Sequence, residues 1–197
     1  MRYIYSLLGA VVIVFGIYTA GVYLDLYGEL EEPGFPVNSE LPRSIVQQKQ
    51  EAQEAFGRQK QILFGDTHVH TTYSTDAFLW SLPILNGEGP HPISDACDFA
   101  RFCANLDFWV STDHAEALTP RKWKSIKEAV RNCNTPTNIN EPDLVTFLGY
   151  EWTQVGNTAN EHYGHKNVMF LDIEEDRVPK RAIGAGGIAT NGMRLTL

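Results

Sequence analysis

Two histidines stand two residues apart in the segment FGDTHVHTTYSTDAF, residues 64–78, directly after an apolar run. If that run is a β-strand, side chains at positions i and i+2 point to the same face, so His68 and His70 can bind one ion together. Imidazole is a ligand for Zn, Mn or Fe, and carboxylates complete such sites. The alternative is that both histidines are polar residues at a strand end. The segment alone leaves both interpretations open.

Three later segments carry the same ligand types. Asp113 and His114 follow the apolar run LDFWVS, Glu151 follows FLGY, and His165 precedes NVMFL. A carboxylate at the end of a buried strand is costly unless it is paired or bound to a cation. Glu151 is therefore a candidate ligand, with a partly exposed rim residue as the alternative. Asp113 is either a ligand, or the acceptor that orients an imidazole, or part of a simple loop or cap before the next helix.

Other residues with reactive side chains are weaker candidates. His162 lies in the polar loop GNTANEHYG, which favours a solvated or substrate-facing side chain, and His91 lies between two prolines, which favours a structural or exposed one. Ser74 and Ser111 lack the G-x-S-x-G pattern of a nucleophile. The chemistry indicated by the sequence is therefore metal binding by histidine and carboxylate.

Strands and helices alternate in the region that carries these residues. QILFGDTHVHT, LDFWVSTDH, LVTFLGYEWT and HKNVMFLDI are predicted strands, and two helices are predicted between them. The helix ISDACDFARFCANL has Ser94 as its expected N-cap, and TPRKWKSIKEAVRNC has Thr119 as cap with Pro120 in its first turn. This alternation predicts a parallel α/β fold. Ligands of such folds bind at the carboxyl ends of the strands, where the polar residues of the first three strands would meet.

The N-terminal segment YIYSLLGAVVIVFGIYTAGVYL, residues 3–24, has no charged residue. Its length matches the about 20 residues that a helix needs to cross a bilayer. Arg2 precedes it and acidic residues follow, which predicts a cytoplasmic N-terminus and a periplasmic or extracellular domain. The alternative, a cleaved signal peptide, is disfavoured because YTAGVY is a poor cleavage site. We therefore expect a single-pass anchor, residues 1–24, in the inner (cytoplasmic) membrane.

The rest of the chain divides by composition. The composition of residues 25–61 predicts a linker rich in Pro, Gly and acidic residues, followed by a solvated helix. This helix would space the domain from the membrane. The metal-binding domain is expected at residues 62–175, with an irregular tail at 176–197. A formal charge of −8 excludes nucleic-acid binding by bulk electrostatics. A small anionic substrate is compatible with it, because a metal supplies a local positive field.

The three cysteines fit neither a zinc-finger spacing nor a CxxC motif. Export would permit a disulfide, and Cys103 with Cys133 is the expected pair because each falls near the end of a predicted helix. The alternative is that all three, including Cys97, are buried free thiols.

The segments GDTHVHTTYSTDA, LDFWVSTDHAE and GYEWT…HYGHKNVMF together resemble the first three motifs of the PHP (polymerase and histidinol phosphatase) superfamily. More closely, they resemble an exported bacterial PHP-like group that is catalogued only as a domain of unknown function. The resemblance runs from Gln61 to Phe170. It implies a distorted, TIM-like β/α barrel with two or three divalent metals at the carboxyl ends of its strands. It also implies hydrolysis of a phosphoester in a small substrate.

The resemblance assigns roles to individual residues. It implies that Glu151 bridges two metals and that Asp76 is a weaker polar candidate near the site. It places His114 and Glu151 at the reacting centre. It implies four histidine ligands: His68, His70, His114 and His165. The family also closes its site with a late Asp-x-His, which does not follow His165 here. We therefore expect the N-terminal part of a longer protein, or else an incomplete site. The rival function is a non-catalytic metal-binding or scaffold domain.

Overall fold

A computed structural model describes residues 2–23, 34–56, 62–74, 91–135, 142–154 and 158–184. The chain forms two compact units, Met1–Glu31 and Glu32–Leu197. The first unit contains helix α1, Arg2–Tyr23, whose described side chains are exposed. Within the described part of the chain, no helix combines the length and apolarity needed to cross a membrane. The single-pass anchor stays a prediction.

The second unit is a mixed α/β domain, as the sequence predicts at the level of fold class. Its regular elements begin with helix α2, Arg43–Phe56, and strand β1, Gly65–Val69. Helix α3, Ile93–Asp98, continues into a π-helical turn, Phe99–Cys103. Strand β2, Phe108–Ser111, follows after a short connection. After a 3-10 turn, Ala115–Ala117, come helix α4, Pro120–Asn134, and strands β3, Val145–Gln154, and β4, Gly164–Phe170.

Of the two predicted N-caps, one is confirmed and one is wrong. The prediction for α4 is confirmed, because the Thr119 hydroxyl accepts from the Lys122 backbone N–H at 3.2 Å and Pro120 opens the helix. The prediction for α3 is wrong, because its N-cap is Pro92 and no side chain caps it. Ser94 is instead buried within the first turn of α3.

The four strands form one curled sheet in the order β1-β2-β3-β4. Strands β1, β2 and β3 run parallel, whereas β4 pairs antiparallel with β3 over the whole of β4. The prediction of an all-parallel sheet is therefore wrong at β4. A parallel return needs a crossover of about a dozen residues or more, and residues 155–163 are too few.

The hydrophobic core lies between the sheet and helices α3 and α4. Its fully buried residues come from both helices and from β2 and β3: Ile93, Trp109, Trp123, Ile126, Val130 and Leu148. Residues 172–184, named here the C-terminal strap, also pack on α4. The Trp123 indole N–H donates to Pro179 O at 2.8 Å, and Val178 and Ala182 are buried. The strap thus completes the core beside α4 without regular secondary structure.

Helix α2 contacts the domain and is not only a spacer. Ile45 is buried, and Lys49 Nζ donates to Asp143 O at 2.7 Å and to Asp107 Oδ1 at 3.2 Å. Asp107 and Asp143 stand just before β2 and β3, so α2 is held at the amino ends of these strands. The prediction of a fully solvated helix misses this contact because a single buried residue gives no periodic signal.

The expected Cys103–Cys133 pair is wrong. Cys133 of α4 is paired with Cys97 of α3 in a disulfide with Cα atoms 6.0 Å apart, and Cys103 is free and exposed. Positions six residues apart on a helical backbone point in widely different directions. Cys97 therefore faces α4 in the core, whereas Cys103 faces solvent.

Candidate metal centre

The carboxyl ends of the parallel strands bring the predicted ligands together. His68 lies near the end of β1, His70 follows that strand, and His114 follows β2. His114 forms a parallel bridge with Glu151 of β3, and the Glu151 N–H donates to Asp113 O at 3.0 Å. The paired strand β4 adds His165, which stands opposite Thr153 on β3.

Glu151 is the centre of this cluster, and its side chain is only 3% exposed. Its Oε2 atom lies 2.9 Å from His70 Nε2, 3.3 Å from His114 Nδ1 and 3.5 Å from His68 Nε2. Its Oε1 atom lies 2.8 Å from His165 Nδ1. One carboxylate therefore faces four imidazole rings, with its two oxygens directed to different histidines.

These side chains form two groups that could each hold a metal ion. The first group is His68, His70 and Glu151, and the second is His114, Glu151 and His165. Within each group the donor atoms lie within 4.8 Å of one another. The ring centroids of His70 and His114 are 4.8 Å apart, so the two groups adjoin as well as share Glu151.

The donor set suits a cation on physical grounds. Glu151 Oε2 is buried, and no donor in the described part of the chain makes a well-directed hydrogen bond to it, despite the three nearby imidazoles. A buried carboxylate oxygen without such a bond is costly, and a bound cation would remove that cost. Imidazole nitrogen with carboxylate oxygen is the ligand chemistry of Zn, Mn and Fe sites.

Asp113 supports the backbone of the site. It is fully buried, and its carboxylate accepts from Thr71 N at 2.5 Å and from Thr71 Oγ1 at 2.9 Å. These bonds tie the segment after β1 to the segment after β2. These contacts make Asp113 a structural acceptor that positions the histidine-bearing segments, a role that was not among the interpretations left open by the sequence.

Three polar residues beside the ligands were not predicted to belong to the site, and Ser74 was considered only as a nucleophile. Ser74 Oγ lies 3.1 Å from His70 Nδ1, and Thr153 Oγ1 lies 3.0 Å from His165 Nδ1. Asn167 of β4 donates to Thr67 O of β1 at 2.6 Å. Thr153 could have been found, because it lies two residues after Glu151 on the same face of β3. Ser74 and Asn167 gave no usable signal, since their partners are set by the fold.

The remaining candidates lie elsewhere or outside the described residues. Asp76 is outside the described residues. His91 is exposed and pairs with Asp95 at 3.0 Å, one helical turn away, and His162 is exposed before β4. Glu116 was not predicted, and its Oε2 lies 3.9 Å from His114 Nδ1 at the rim of the cluster.

Comparison with known protein families gives one match. The profile of a family described as a protein of unknown function (DUF3604) matches residues 57–122. This segment contains β1, His68, His70, β2 and His114, and it ends in the first turn of α4. Comparisons with curated proteins and with solved structures find no match.

Proposed function

We propose that this protein is a hydrolase that binds two divalent ions and cleaves phosphoesters of small substrates. The observation that carries the proposal is the Glu151 carboxylate, which is shared by two groups of histidines. The resemblance to PHP proteins supports the same reading, since it assigns a bridging role to this residue. On this proposal, the curled sheet is part of a β/α barrel with its reaction centre at the carboxyl ends of the strands.

The four histidines of the cluster differ in how far their side chains are exposed to solvent. His70 and His114 are 20% and 18% exposed, whereas His68 and His165 are 54% and 56% exposed. The two inner histidines and Glu151 would fix the ions, and the two outer histidines would border the face that a substrate approaches. The buried contact between Asp113 and Thr71 holds the segments that carry the inner histidines in place. Because this arrangement exists before a substrate binds, it requires no reorganisation free energy during the reaction.

Divalent ions held by such residues supply Lewis acidity and neutralise the charge of a phosphoryl group. That contribution matters for a chain whose formal charge is −8, because an anionic substrate is otherwise repelled. The negative charge of a carboxylate shared by both groups would offset part of the repulsion between two neighbouring ions.

The substitution Glu151→Gln tests the proposal. Glutamine keeps the shape of the side chain but removes its negative charge, so we expect loss of bound metal and of phosphoesterase activity. The loss should exceed the about 10- to 100-fold effect that is usual for residues behind the ligands. Metal content is measured by elemental analysis after dialysis, and activity with a panel of phosphomonoesters and phosphodiesters in Zn, Mn or Fe.

The matched control is His91→Gln, which removes an exposed histidine outside the cluster and should change neither measurement. Two ions per wild-type chain with hydrolysis support the proposal. A Glu151→Gln protein with wild-type metal content contradicts the bridging role. Bound metal without hydrolysis of any ester supports the rival function, a non-catalytic metal-binding domain, and no bound metal eliminates both.

A further inference from the structure

Ser74 touches both ligand groups with a single hydroxyl. The side chain is fully buried, and its Oγ accepts from the His114 backbone N–H at 3.1 Å. The same oxygen lies 3.1 Å from His70 Nδ1. His70 belongs to the first group and His114 to the second, so this hydroxyl joins one residue of each group, through the ring of His70 and the backbone of His114.

The contact with His70 Nδ1 leaves Nε2 as the ring nitrogen that is available to an ion. His70 Nε2 faces Glu151 Oε2 at 2.9 Å and His68 Nε2 at 3.0 Å, so Nε2 is the nitrogen that points to the first group. A neutral imidazole that binds an ion through Nε2 carries its proton on Nδ1. That proton needs an acceptor, and Ser74 Oγ is in position to accept it.

The hydroxyl can meet both demands at once. A serine oxygen has two lone pairs and one proton, so Ser74 can accept from the His114 N–H and from the His70 Nδ1–H together. When no ion is bound, the hydroxyl can instead donate to His70 Nδ1, and the proton of the neutral ring is then on Nε2. The same contact therefore holds the His70 ring in one orientation in both states.

We propose that Ser74 is a positioning residue that couples the two ligand groups, by orienting the His70 ring and the His114 backbone through one hydroxyl. The inference rests on the proposed function only in that it takes both groups to bind ions. Because Ser74 is buried, it has no role as a nucleophile, and its contribution is made through its two partners. Loss of the hydroxyl should weaken ion binding at both groups together.

The test compares Ser74→Ala, Ser74→Cys and Ser74→Thr in the full chain, titrated with Zn²⁺ by calorimetry. We expect Ser74→Ala and Ser74→Cys to weaken binding of both ions by about 10- to 100-fold, the usual effect of losing a residue behind the ligands. Ser74→Thr keeps the hydroxyl and should restore most of the affinity. Ser111→Ala is the matched control, since Ser111 is equally buried and its hydroxyl has no partner among the described residues.

A second readout needs no metal. Nitrogen-15 NMR of the metal-free protein reports the tautomer of the His70 ring, with His70→Gln to assign the signals. We expect one dominant tautomer in the wild type and in Ser74→Thr, and a mixture in Ser74→Ala. This measurement keeps the inference testable where the added methyl of threonine disturbs the buried site.

The possible results separate the two proposals. If Ser74→Ala binds both ions as tightly as the wild type, or loses only one, the coupling role is overturned. An unchanged His70 tautomer overturns it as well. If the wild type binds two ions and hydrolyses no phosphoester, the proposed activity fails while the role of Ser74 stands.

Discussion

Gly149 lies in β3 two residues before Glu151, where neighbouring backbones approach from both sides. A Cβ atom at this position would lie 2.6 Å from Val168 O of β4 and 2.9 Å from Ser111 O of β2. Neither carbonyl is the end of a flexible side chain, so the strands themselves would have to move apart. Any such movement would reach Glu151, because a strand transmits displacement along its length.

We therefore expect Gly149→Ala to destabilise the protein by about 1–3 kcal/mol, the usual cost of overpacking a core. It should also lower the metal content by displacing Glu151. The control is Gly184→Ala, whose added Cβ would lie at an ordinary 3.7 Å from its nearest neighbour, Glu116 Cα. Urea denaturation gives the stabilities, and equal unfolding midpoints for the two variants would contradict the steric argument.

At the scale of elements, α3 and α4 are joined by the Cys97–Cys133 disulfide, with the two cysteines 36 residues apart in sequence. Alkylation of the unfolded, unreduced protein should therefore label Cys103 alone, and reduction should add two labels. Mass spectrometry counts them. The variant Cys103→Ser should take no label before reduction, whereas Cys97→Ser should leave Cys133 open to labelling. Three labels without reductant would mean that the pair is reduced.

At the scale of elements, the sequence predicts the strands themselves but not how β4 pairs with β3. Short apolar runs that end in polar residues identified all four strands, since such a run is a local property of the sequence. The pairing of β4 depends on loop length and was predicted wrongly. The HxH pair and Glu151 could be found because each ends or follows an apolar run. Ser74 and Asn167 could not, since Asn167 meets Thr67 across 100 residues and only the curl of the sheet brings them together.

For the molecule as a whole, the C-terminal strap connects stability to pH. Glu175 accepts hydrogen bonds from Lys127 and from Arg131 of α4, the latter at 2.8 Å, and these bonds hold the pKa of its carboxyl below the ordinary value. Within the strap, backbone hydrogen bonds and the Arg177 guanidinium likewise lower the pKa of Asp172. A lowered pKa means that folding favours the ionised carboxylate.

The stability from these carboxylates is complete above the ordinary carboxyl pKa and is lost as the pH falls through the lowered values. We expect the thermal midpoint of the wild type to decline once the pH falls below the ordinary carboxyl pKa. In Glu175→Gln, this decline with pH should be less steep. The variant Glu128→Gln controls for the change in net charge, because Glu128 is an exposed carboxylate of α4 that forms no ion pair or hydrogen bond with the described residues of the strap. A Glu175→Gln protein with the wild-type pH dependence would refute the role of the strap.

The contact between Thr67 and Asn167 also bears on how the protein acquires its site. The first ligand group draws on β1, the residue after it and β3, and the second draws on the segment after β2, on β3 and on β4. Neither is complete until distant segments of the chain have met. Contacts of such high sequence separation form slowly, because the entropy of closing a long loop is lost before they contribute. During synthesis, His68 and His70 leave the ribosome well before Glu151 and His165 exist. On the proposed function, ion capture would therefore be a late event in folding, and the nascent chain would pass through a stage in which its first histidines meet metals without a site to hold them.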